Sequence, residues 1–276
     1  MQPFATIIHS KPIKTGLLMW SVLVLLLSCS KDSGHDGAND PKMAYFPKNL
    51  SLSYSSGQTV HYQFSYNSKN ELARMEIERN SLDETTQLSS NFNYTEAGLL
   101  SNVLSENGQG SAQYNTSFEY NAEGTITGVG FTTDGTDHNL SISYSGPETN
   151  RYLVEGDLAN LPTEWSFDSD GQLVKVALAG NNYALQFSEI DEGVFQYLKP
   201  QNALVIWHGL MFYLSPFELF FFSRHDIAQI QTEDPNFIFQ NKVWDGNGNL
   251  VSFQVRPNVP FGDIINYNVE YETKNL

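Results

Sequence analysis

Cysteine is almost missing from this sequence, since its 276 residues contain only Cys29. A single cysteine excludes an internal disulfide, so the folded part must be stabilised by its hydrophobic core alone. The roughly 250 residues that follow Cys29 are enough for one sizeable core. We therefore expect one domain after Cys29, with no disulfide framework.

Basic residues are also scarce, because 15 lysines and arginines stand against 31 aspartates and glutamates, which makes the net charge −16. Removal of residues 1–28 would take away Lys11 and Lys14 but no acid, and would change the net charge to −18. A field of this sign repels nucleic acid. We expect no nucleic-acid partner.

The sequence motifs of common enzyme classes are missing as well. There is no Gly-x-Ser-x-Gly elbow, no P-loop and no dinucleotide fingerprint. The histidines show no His-x-His or His-x3-His spacing, and they are His9, His35, His61, His138, His208 and His225. We therefore predict no catalytic residue, no cofactor and no metal site. His208 lies in an apolar segment and is expected to be a core histidine, with a ligand role as the alternative.

One segment resembles the start of a calcium loop. Asp245, Asn247 and Asn249 have the spacing of the first three ligands of an EF-hand. The sixth position is Leu250, where the loop needs glycine, and the twelfth is Arg256, where it needs glutamate. We predict a hairpin turn here, with calcium binding as the alternative.

The N-terminus has the layout of a signal peptide, in which two lysines precede an apolar run from Gly16 to Leu27. This run is shorter than the ~20 residues of a transmembrane helix, which is the alternative. Leu26-Leu27-Ser28-Cys29 resembles the lipobox of bacterial lipoproteins. The resemblance implies a signal peptide at 1–28, lipidation of Cys29 and attachment to a membrane. The alternative is an ordinary signal peptide with a coincidental cysteine.

Residues 29–43 form a polar, glycine-containing stretch, which predicts a flexible tether. Its Cys-Ser-Lys-Asp start resembles surface-exposed lipoproteins of the Bacteroidetes. The resemblance implies an outer-membrane lipoprotein that faces the exterior, with the periplasmic face as the alternative.

An internal repeat organises residues 44–276. Its template is an aromatic pair at i and i+2, a turn that closes on glycine or asparagine at i+6, and apolar residues at i+8 and i+11. The five copies begin at Phe64, Phe92, Phe118, Trp165 and Lys242, the last of which departs from the aromatic pattern. The template predicts a β-hairpin. The turn residues expected to need positive φ are Asn70, Gly98, Gly124, Gly171 and Gly248.

Each aromatic pair lies on one face of a strand. We expect the pairs to be core, with an exposed carbohydrate-stacking platform as the alternative. Weaker copies at Ile142–Gly146 and Leu185–Phe187 fit the same spacing. The repeat therefore predicts a mainly β fold, a long antiparallel meander that curls into a half-barrel or barrel.

A helical insert at about 200–227 interrupts the β pattern. Residues 203–222 are nearly all apolar, and Ser215-Pro216-Phe217-Glu218 has the form of a helix N-terminus. We expect a short helical hairpin packed on the concave side of the sheet, formed by Leu204, Ile206, Trp207, Leu210, Phe217 and Phe220. The alternatives are a partner interface and a membrane-embedded segment.

Three groups of carboxylates could contain a general acid–base pair, as glycosidases require. They are Asp134/Asp137, Glu189/Asp191/Glu192 and Glu233/Asp234. Solvated turn residues are the simpler interpretation.

The Tyr-Asn-x-x-Gly-x-Leu/Ile core of the repeat resembles the YD repeat of Rhs-type and cell-wall-associated proteins, as at Tyr120-Asn121 and Phe167-Asp168. Together with the lipobox and insert, it resembles a Bacteroidetes lipoprotein family of unknown function with a porin-like fold. We predict a non-catalytic binding or scaffolding module with a glycan or protein ligand. The alternatives are a glycan-active hydrolase and an outer-membrane part that inserts its sheet.

Overall fold

The computed structural model of the chain describes residues 43–81, 84–110, 113–158, 161–178, 180–189, 192–198, 201–211, 222–233, 235–260 and 262–276. These residues form seventeen strands and one helix. The first nine strands are β1 Met43–Tyr54, β2 Thr59–Tyr66, β3 Leu72–Asn80, β4 Thr85–Tyr94, β5 Leu100–Asn107, β6 Gln113–Tyr120, β7 Ile126–Thr133, β8 Thr136–His138 and β9 Leu140–Tyr144. The remaining elements are β10 Arg151–Gly156, β11 Thr163–Phe167, β12 Leu173–Leu178, β13 Asn181–Phe187, α1 Gln201–Met211, β14 Ile227–Gln231, β15 Phe237–Trp244, β16 Leu250–Pro257 and β17 Ile265–Asn275.

All the strands belong to one antiparallel sheet. Consecutive strands pair from β1 to β8 and from β9 to β17. The last strand returns to the first, because β17 pairs with β1 along nearly its whole length, from Met43↔Asn275 to Tyr54↔Ile265. The result is a nearly closed barrel, which confirms the expected curled antiparallel meander.

The barrel has a seam where β8 meets β9. Only Asn139 separates these two short strands, yet β8 pairs with β7 and β9 pairs with β10. Strand β7 continues beside β9, but within the described strands no hydrogen-bonded ladder joins the two. Tyr152 of β10 is buried beside this seam, and its ring centroid lies 4.8 Å from that of Tyr144 in β9.

Alternation of apolar and polar residues decides which side of each strand faces the core. In β2, Val60, Tyr62 and Phe64 are buried, whereas His61 and Gln63 between them are exposed. Successive side chains of a strand point to opposite faces, so this pattern places one face in the interior. The apolar residues of all parts of the barrel form one core cluster.

The five template turns share one geometry. Positive φ angles are found at Asn70 (62°), Gly98 (77°), Gly124 (79°), Gly171 (77°) and Gly248 (82°). In four of these turns an Asn or Asp side chain accepts two backbone N–H groups, as Asn121 does from Glu123 and Thr125. This Asx geometry satisfies the turn backbone locally.

Tyrosine hydroxyls connect neighbouring hairpins. Tyr94 donates to the carbonyl of Leu72 at 2.8 Å and Tyr120 to the carbonyl of Leu100 at 2.7 Å. Tyr271 makes the same contact with Leu250 at 3.0 Å. Each acceptor is the first residue of a template return strand. For Tyr94 and Tyr120 these hydrogen bonds give the second aromatic position of the repeat a reason to be tyrosine rather than phenylalanine.

The helix α1 packs in the core on the concave side of the sheet. Leu204, Ile206, Trp207 and Leu210 are buried, and the Trp207 ring meets Phe92 edge-on with centroids 4.9 Å apart. Gly209 lets the helix approach the wall, because a Cβ atom there would lie 2.7 Å from Trp165 Cζ2. This confirms the packing predicted for the short helix. The second half of the insert, with Pro216, Phe217 and Phe220, lies outside the described residues.

Among the described residues, no helix has both the length and the apolar character needed to cross a bilayer.

Candidate binding cavity at the turn end of the barrel

The template turns all lie at one end of the barrel, which we name the turn end. In an antiparallel meander every second connection lies at the same end. The turns after β2, β4 and β6 therefore share one end. Because β8 and β9 run in the same direction through the seam, the turns after β11 and β15 lie at that end too, together with the long connection of residues 188–226, which joins β13 to β14. The start of β1 and the end of β17 lie there too, because Met43 pairs with Asn275.

A cavity of about 1000 Å³ lies at the turn end. It is bounded by the turns after β2, β4 and β11, by the long connection and by the C-terminal residue of the sequence. The lining residues are Phe46, Lys69, Asn70, Glu71, Ala97, Gly98, Asp170, Glu192, Gln196, Tyr197, Arg224, His225 and Leu276. The volume is at the upper end of the range for small-molecule sites.

An aromatic group forms one part of the cavity wall. The ring of Phe46 meets Tyr66 edge-on at 5.0 Å between centroids and lies 5.7 Å from the ring of Tyr197. Phe46 is buried, whereas Tyr197 is partly exposed. Loss of hydration and the nearby Glu192 carboxylate raise the pKa of the Tyr197 hydroxyl, which therefore stays protonated and able to donate a hydrogen bond.

The charged residues of the cavity differ in how firmly they are held. Arg224 donates from its guanidinium to the carbonyl of Asp170 at 3.1 Å, and Glu71 accepts from the Asn67 amide at 2.7 Å. By contrast, the side chains of Lys69 and Glu192 form no hydrogen bond or ion pair with any residue that the structure describes. Two opposite charges of this cavity are thus available to a ligand.

A buried ion pair holds the long connection against the barrel. Lys242 donates to the Asp226 carboxylate at 2.6 Å and to the carbonyl of Ile227 at 2.8 Å, and Ser188 donates to the same carboxylate. The Asp226 side chain is 2% exposed and that of Lys242 16%. Lys242 is the position where the fifth template copy lacks its aromatic residue, so the departure has a structural reason.

The same connection is drawn close to the barrel around Gly193. Its N–H donates to the carbonyl of Arg224 at 2.7 Å. A Cβ atom at this position would lie 2.6 Å from the carbonyl oxygen of His225, so only glycine fits. These contacts hold Glu192 and the residues near it over the cavity.

Two of the five predicted turn residues line the cavity, and the other three do not. Asn70 and Gly98 line the cavity, and Asn70 also donates to the carbonyl of Asn275 at 2.8 Å. Gly124, Gly171 and Gly248 lie in other turns of the same end. Cys29, the residue predicted to carry the lipid, lies outside the described residues.

Among the described members of the three carboxylate groups, only Glu192 lines the cavity. Asp134 and Asp137 lie in and after the turn between β7 and β8 at the opposite end, where they accept hydrogen bonds from the Gln113 backbone and from Thr132. Glu192 lies at the cavity. Asp191 and Asp234 are outside the described residues, and Glu233 is exposed beyond β14.

His208 lies fully buried on α1, where loss of hydration, assisted by the Arg79 charge, lowers its pKa to about 3. It is therefore neutral at physiological pH. Within the described residues, no group of three His, Cys, Asp or Glu side chains is placed to hold a metal ion.

Asp245, the first residue of the calcium-like segment, accepts the backbone N–H groups of Asn247 and Asn249 in a template turn. Partial burial alone would raise the pKa of Asp245, but hydrogen bonds from Asn249 and Asn247 outweigh it and lower the pKa. The carboxylate is thus engaged by its own turn.

A second concavity of about 620 Å³ lies on the outer wall across β17, β1, β2, β3 and β4. Its polar side chains bond to one another, with Asn49 donating to Glu270 at 2.7 Å and Gln87 to Glu78 at 2.9 Å. Because these groups already have partners, the turn-end cavity is the better candidate for a ligand site.

Sequence reasoning did not find Phe46, Lys69, Tyr197 or Arg224 as site residues. They come from four separate segments, and none belongs to a motif with a characteristic spacing. Glu192 was singled out only as one member of an acidic group.

No protein-family model matches the sequence, and no match to a curated protein is found. Among solved structures, the chain is similar to a porin-like protein from Bacteroides uniformis ATCC 8492, with 13% sequence identity and a TM-score of 0.44. That similarity covers 81% of this chain and 98% of the other.

Proposed function

We propose that this chain is a lipid-anchored binding module of the bacterial outer membrane, displayed towards the exterior and without catalytic activity of its own. The anchor is the acylated Cys29, and the ligand site is the turn-end cavity. The observation that carries the proposal is the polarity of the barrel, which is apolar inside and polar outside.

The interior of the barrel is packed with large apolar side chains. Trp165, Trp207 and Tyr267 are each at most 1% exposed, and α1 occupies the concave side. A water-filled pore needs a polar interior, as transmembrane β-barrels of the porin kind have. The packed interior favours a structural core over a channel.

The outer face of the wall has the opposite character. The residues that alternate with buried ones are mostly amides, hydroxyls and acids, as in β4 with Gln87, Ser89, Asn91 and Asn93 and in β6 with Gln113, Asn115, Ser117 and Glu119. A wall in contact with lipid needs an apolar outer band. Leu104 and Val243 are exposed singly on this face, which is ordinary for a hydrated surface. The barrel therefore depends on a separate anchor to stay at a membrane.

Binding rather than catalysis is supported by the carboxylates of the cavity. The Glu71 carboxylate is engaged by the Asn67 amide, which leaves Glu192 as a cavity carboxylate without a hydrogen bond to any residue that the structure describes. A glycosidase needs two carboxylates aimed at one bond, one of them kept protonated. The hydrolase alternative predicts release of reducing ends from a bound glycan, and loss of that release in Glu71→Gln.

The anchor is tested with Cys29→Ala in cells that express the full chain. We expect the wild type in the membrane fraction, labelled by a fatty-acid analogue, and the variant unlabelled and outside that fraction. Surface display predicts that protease added to intact cells degrades the wild type. The anchor proposal fails if the variant sediments with membranes as the wild type does.

The packed barrel is tested by adding purified wild-type protein to planar bilayers. We expect no stepwise conductance, because the barrel interior is filled and its wall is polar. Reproducible single-channel steps would overturn the binding-module proposal in favour of a pore.

A further inference from the structure

We infer that the turn-end cavity recognises a neutral oligosaccharide through its hydroxyl groups. This inference rests on the proposed function, because it names the ligand class of the same cavity. It is carried by the mixture of donors and acceptors in the cavity, by its balance of charge and by its aromatic wall.

The cavity offers both halves of the hydrogen-bonding pattern that a sugar hydroxyl needs. A hydroxyl donates one hydrogen bond and accepts others. Lys69 and Arg224 can only donate, while Glu71, Asp170 and Glu192 can accept. Gln196 does both, and its side chain forms no hydrogen bond with any other residue in the part of the chain that the structure describes.

The cavity carries charges of both signs, so a ligand with a full charge of either sign meets like charges there. Lys69 and Arg224 face three carboxylates, those of Glu71, Asp170 and Glu192. The chain as a whole is strongly acidic, so a polyanionic ligand would be repelled at long range. A cationic ligand would meet the two basic groups at short range. A neutral polyhydroxylated ligand avoids both penalties.

The aromatic wall gives such a ligand an apolar contact. One side of a pyranose ring carries mainly C–H groups, which pack against an aromatic side chain. Tyr197 is partly exposed in the cavity, and the buried Phe46 supports it at 5.7 Å between ring centroids. A supported ring loses little conformational freedom when a ligand binds.

The size of the cavity points to more than one sugar unit. Its volume of about 1000 Å³ is at the upper limit for ligand pockets. The cavity lies at the end of the barrel, where an extended chain can enter and leave. We therefore expect binding to strengthen from disaccharide to longer oligosaccharides and then to level off.

The test begins with full-length wild-type lipoprotein in detergent on an array of neutral plant and microbial oligosaccharides, with uronic-acid and sulfated glycans on the same slide. The neutral oligosaccharide retained best is then titrated by calorimetry. We expect Tyr197→Ala to weaken its affinity by about tenfold or more and Glu192→Gln by severalfold, since aromatic contacts commonly contribute most to a binding site.

Matched controls separate the cavity from general effects. Tyr114 is also partly exposed but lies in β6 away from the cavity, and Glu106 is an exposed glutamate of β5. Tyr114→Ala and Glu106→Gln should leave the affinity within about twofold of wild type, because neither residue lines the cavity. Thermal unfolding of every variant checks its fold, and the exposed Glu192→Gln remains informative even if Tyr197→Ala unfolds.

Three results would overturn the inference. The first is an array on which no neutral oligosaccharide is retained above background. The second is binding that Tyr197→Ala and Glu192→Gln leave unchanged. The third is a preference for acidic glycans that depends on these residues, which refutes the neutral ligand and leaves the cavity as the binding site. Failure of the anchor or the binding-module proposal is seen separately, in the fractionation and conductance measurements.

Discussion

The template hairpins and the long connection of residues 188–226 are built in different ways. Four of the five hairpins satisfy their own turns through an Asx contact, as Asn121 does. Where the second aromatic residue is tyrosine, as at Tyr120, its hydroxyl also links the hairpin to its neighbour. The long connection depends on contacts that are distant in sequence, such as Lys242 with Asp226 and the Arg224 N–H with Gln172 at 2.6 Å.

This difference explains why the hairpins repeat in the sequence and the long connection does not. A hairpin repeats because its turn and its strand alternation need the same kinds of residue each time. The connection occurs once and packs against a particular surface. Its residues are therefore determined by which of them are buried, and they form no repeated motif. The cavity forms where the two meet, with template turns on one side and the long connection on the other.

The largest expected effect comes from emptying the core site that helix α1 of the long connection fills. Trp207 is fully buried against Phe92, so Trp207→Ala should lower the free energy of unfolding by about 3–5 kcal/mol. Urea denaturation measures it, with Leu104→Ala as the control because Leu104 is 45% exposed. A loss below about 1 kcal/mol would mean that α1 is not part of the core.

The second largest loss of stability is expected from breaking the ion pair that holds the long connection. Lys242→Ala leaves the buried Asp226 carboxylate without its cation, and we expect a loss of about 2–4 kcal/mol in the free energy of unfolding. Arg74→Ala is the matched control, because Arg74 and Glu76 are 50% and 45% exposed and such pairs contribute at most about 1 kcal/mol. Equal losses in the two variants would contradict the role given to Lys242.

A substitution in a template turn should destabilise the fold less, and the cause should be strain in the backbone of the turn. Gly124 has a φ of +79°, and a Cβ atom there would meet Leu99 at an ordinary 3.9 Å. Gly124→Val should therefore cost about 1–3 kcal/mol from the backbone conformation alone. Thr127→Val, at an exposed position of β7, is the β-branched control. An unchanged melting temperature for Gly124→Val would remove the hairpin interpretation of the template.

The smallest effect should come from the tyrosine links. Tyr94→Phe removes the hydrogen bond to the carbonyl of Leu72 and should cost about 0.5–1.5 kcal/mol. Tyr114→Phe is the control, since its hydroxyl forms no hydrogen bond with any described residue. Urea denaturation of the two variants at neutral pH should separate them, and equal stability would show that the links contribute nothing.

The same tyrosine hydrogen bonds predict that the stability of the fold depends on pH in the alkaline range. Burial and nearby charges raise the pKa values of Tyr94 and Tyr120 in the folded state. A raised folded pKa stabilises the fold below the unfolded pKa of about 10, and that stability is lost as pH rises above it. The double variant Tyr94→Phe, Tyr120→Phe should lose stability less steeply above pH 10 than the wild type.

The hairpins could be predicted because their determinants are local. The template residues from Phe64 to Met75 and from Phe118 to Val129 specify strand, turn and return strand within twelve positions. The burial of Trp207 also followed from composition, since an apolar segment of that length must leave water. The anchor at Cys29 remains a prediction, as do the signal peptide and the tether.

The sequence by itself determined the antiparallel meander, its repeat and the packing of an apolar helix, because each depends on neighbours within a few residues or on hydrophobicity alone. Only the tertiary structure decided that β17 returns to β1, that the seam lies at Asn139 and that Lys69, Tyr197 and Arg224 surround one cavity. Ring closure and the cavity depend on how many strands the curvature needs and on contacts between residues far apart in the chain. The secondary-structure propensities of short segments contain no information about either.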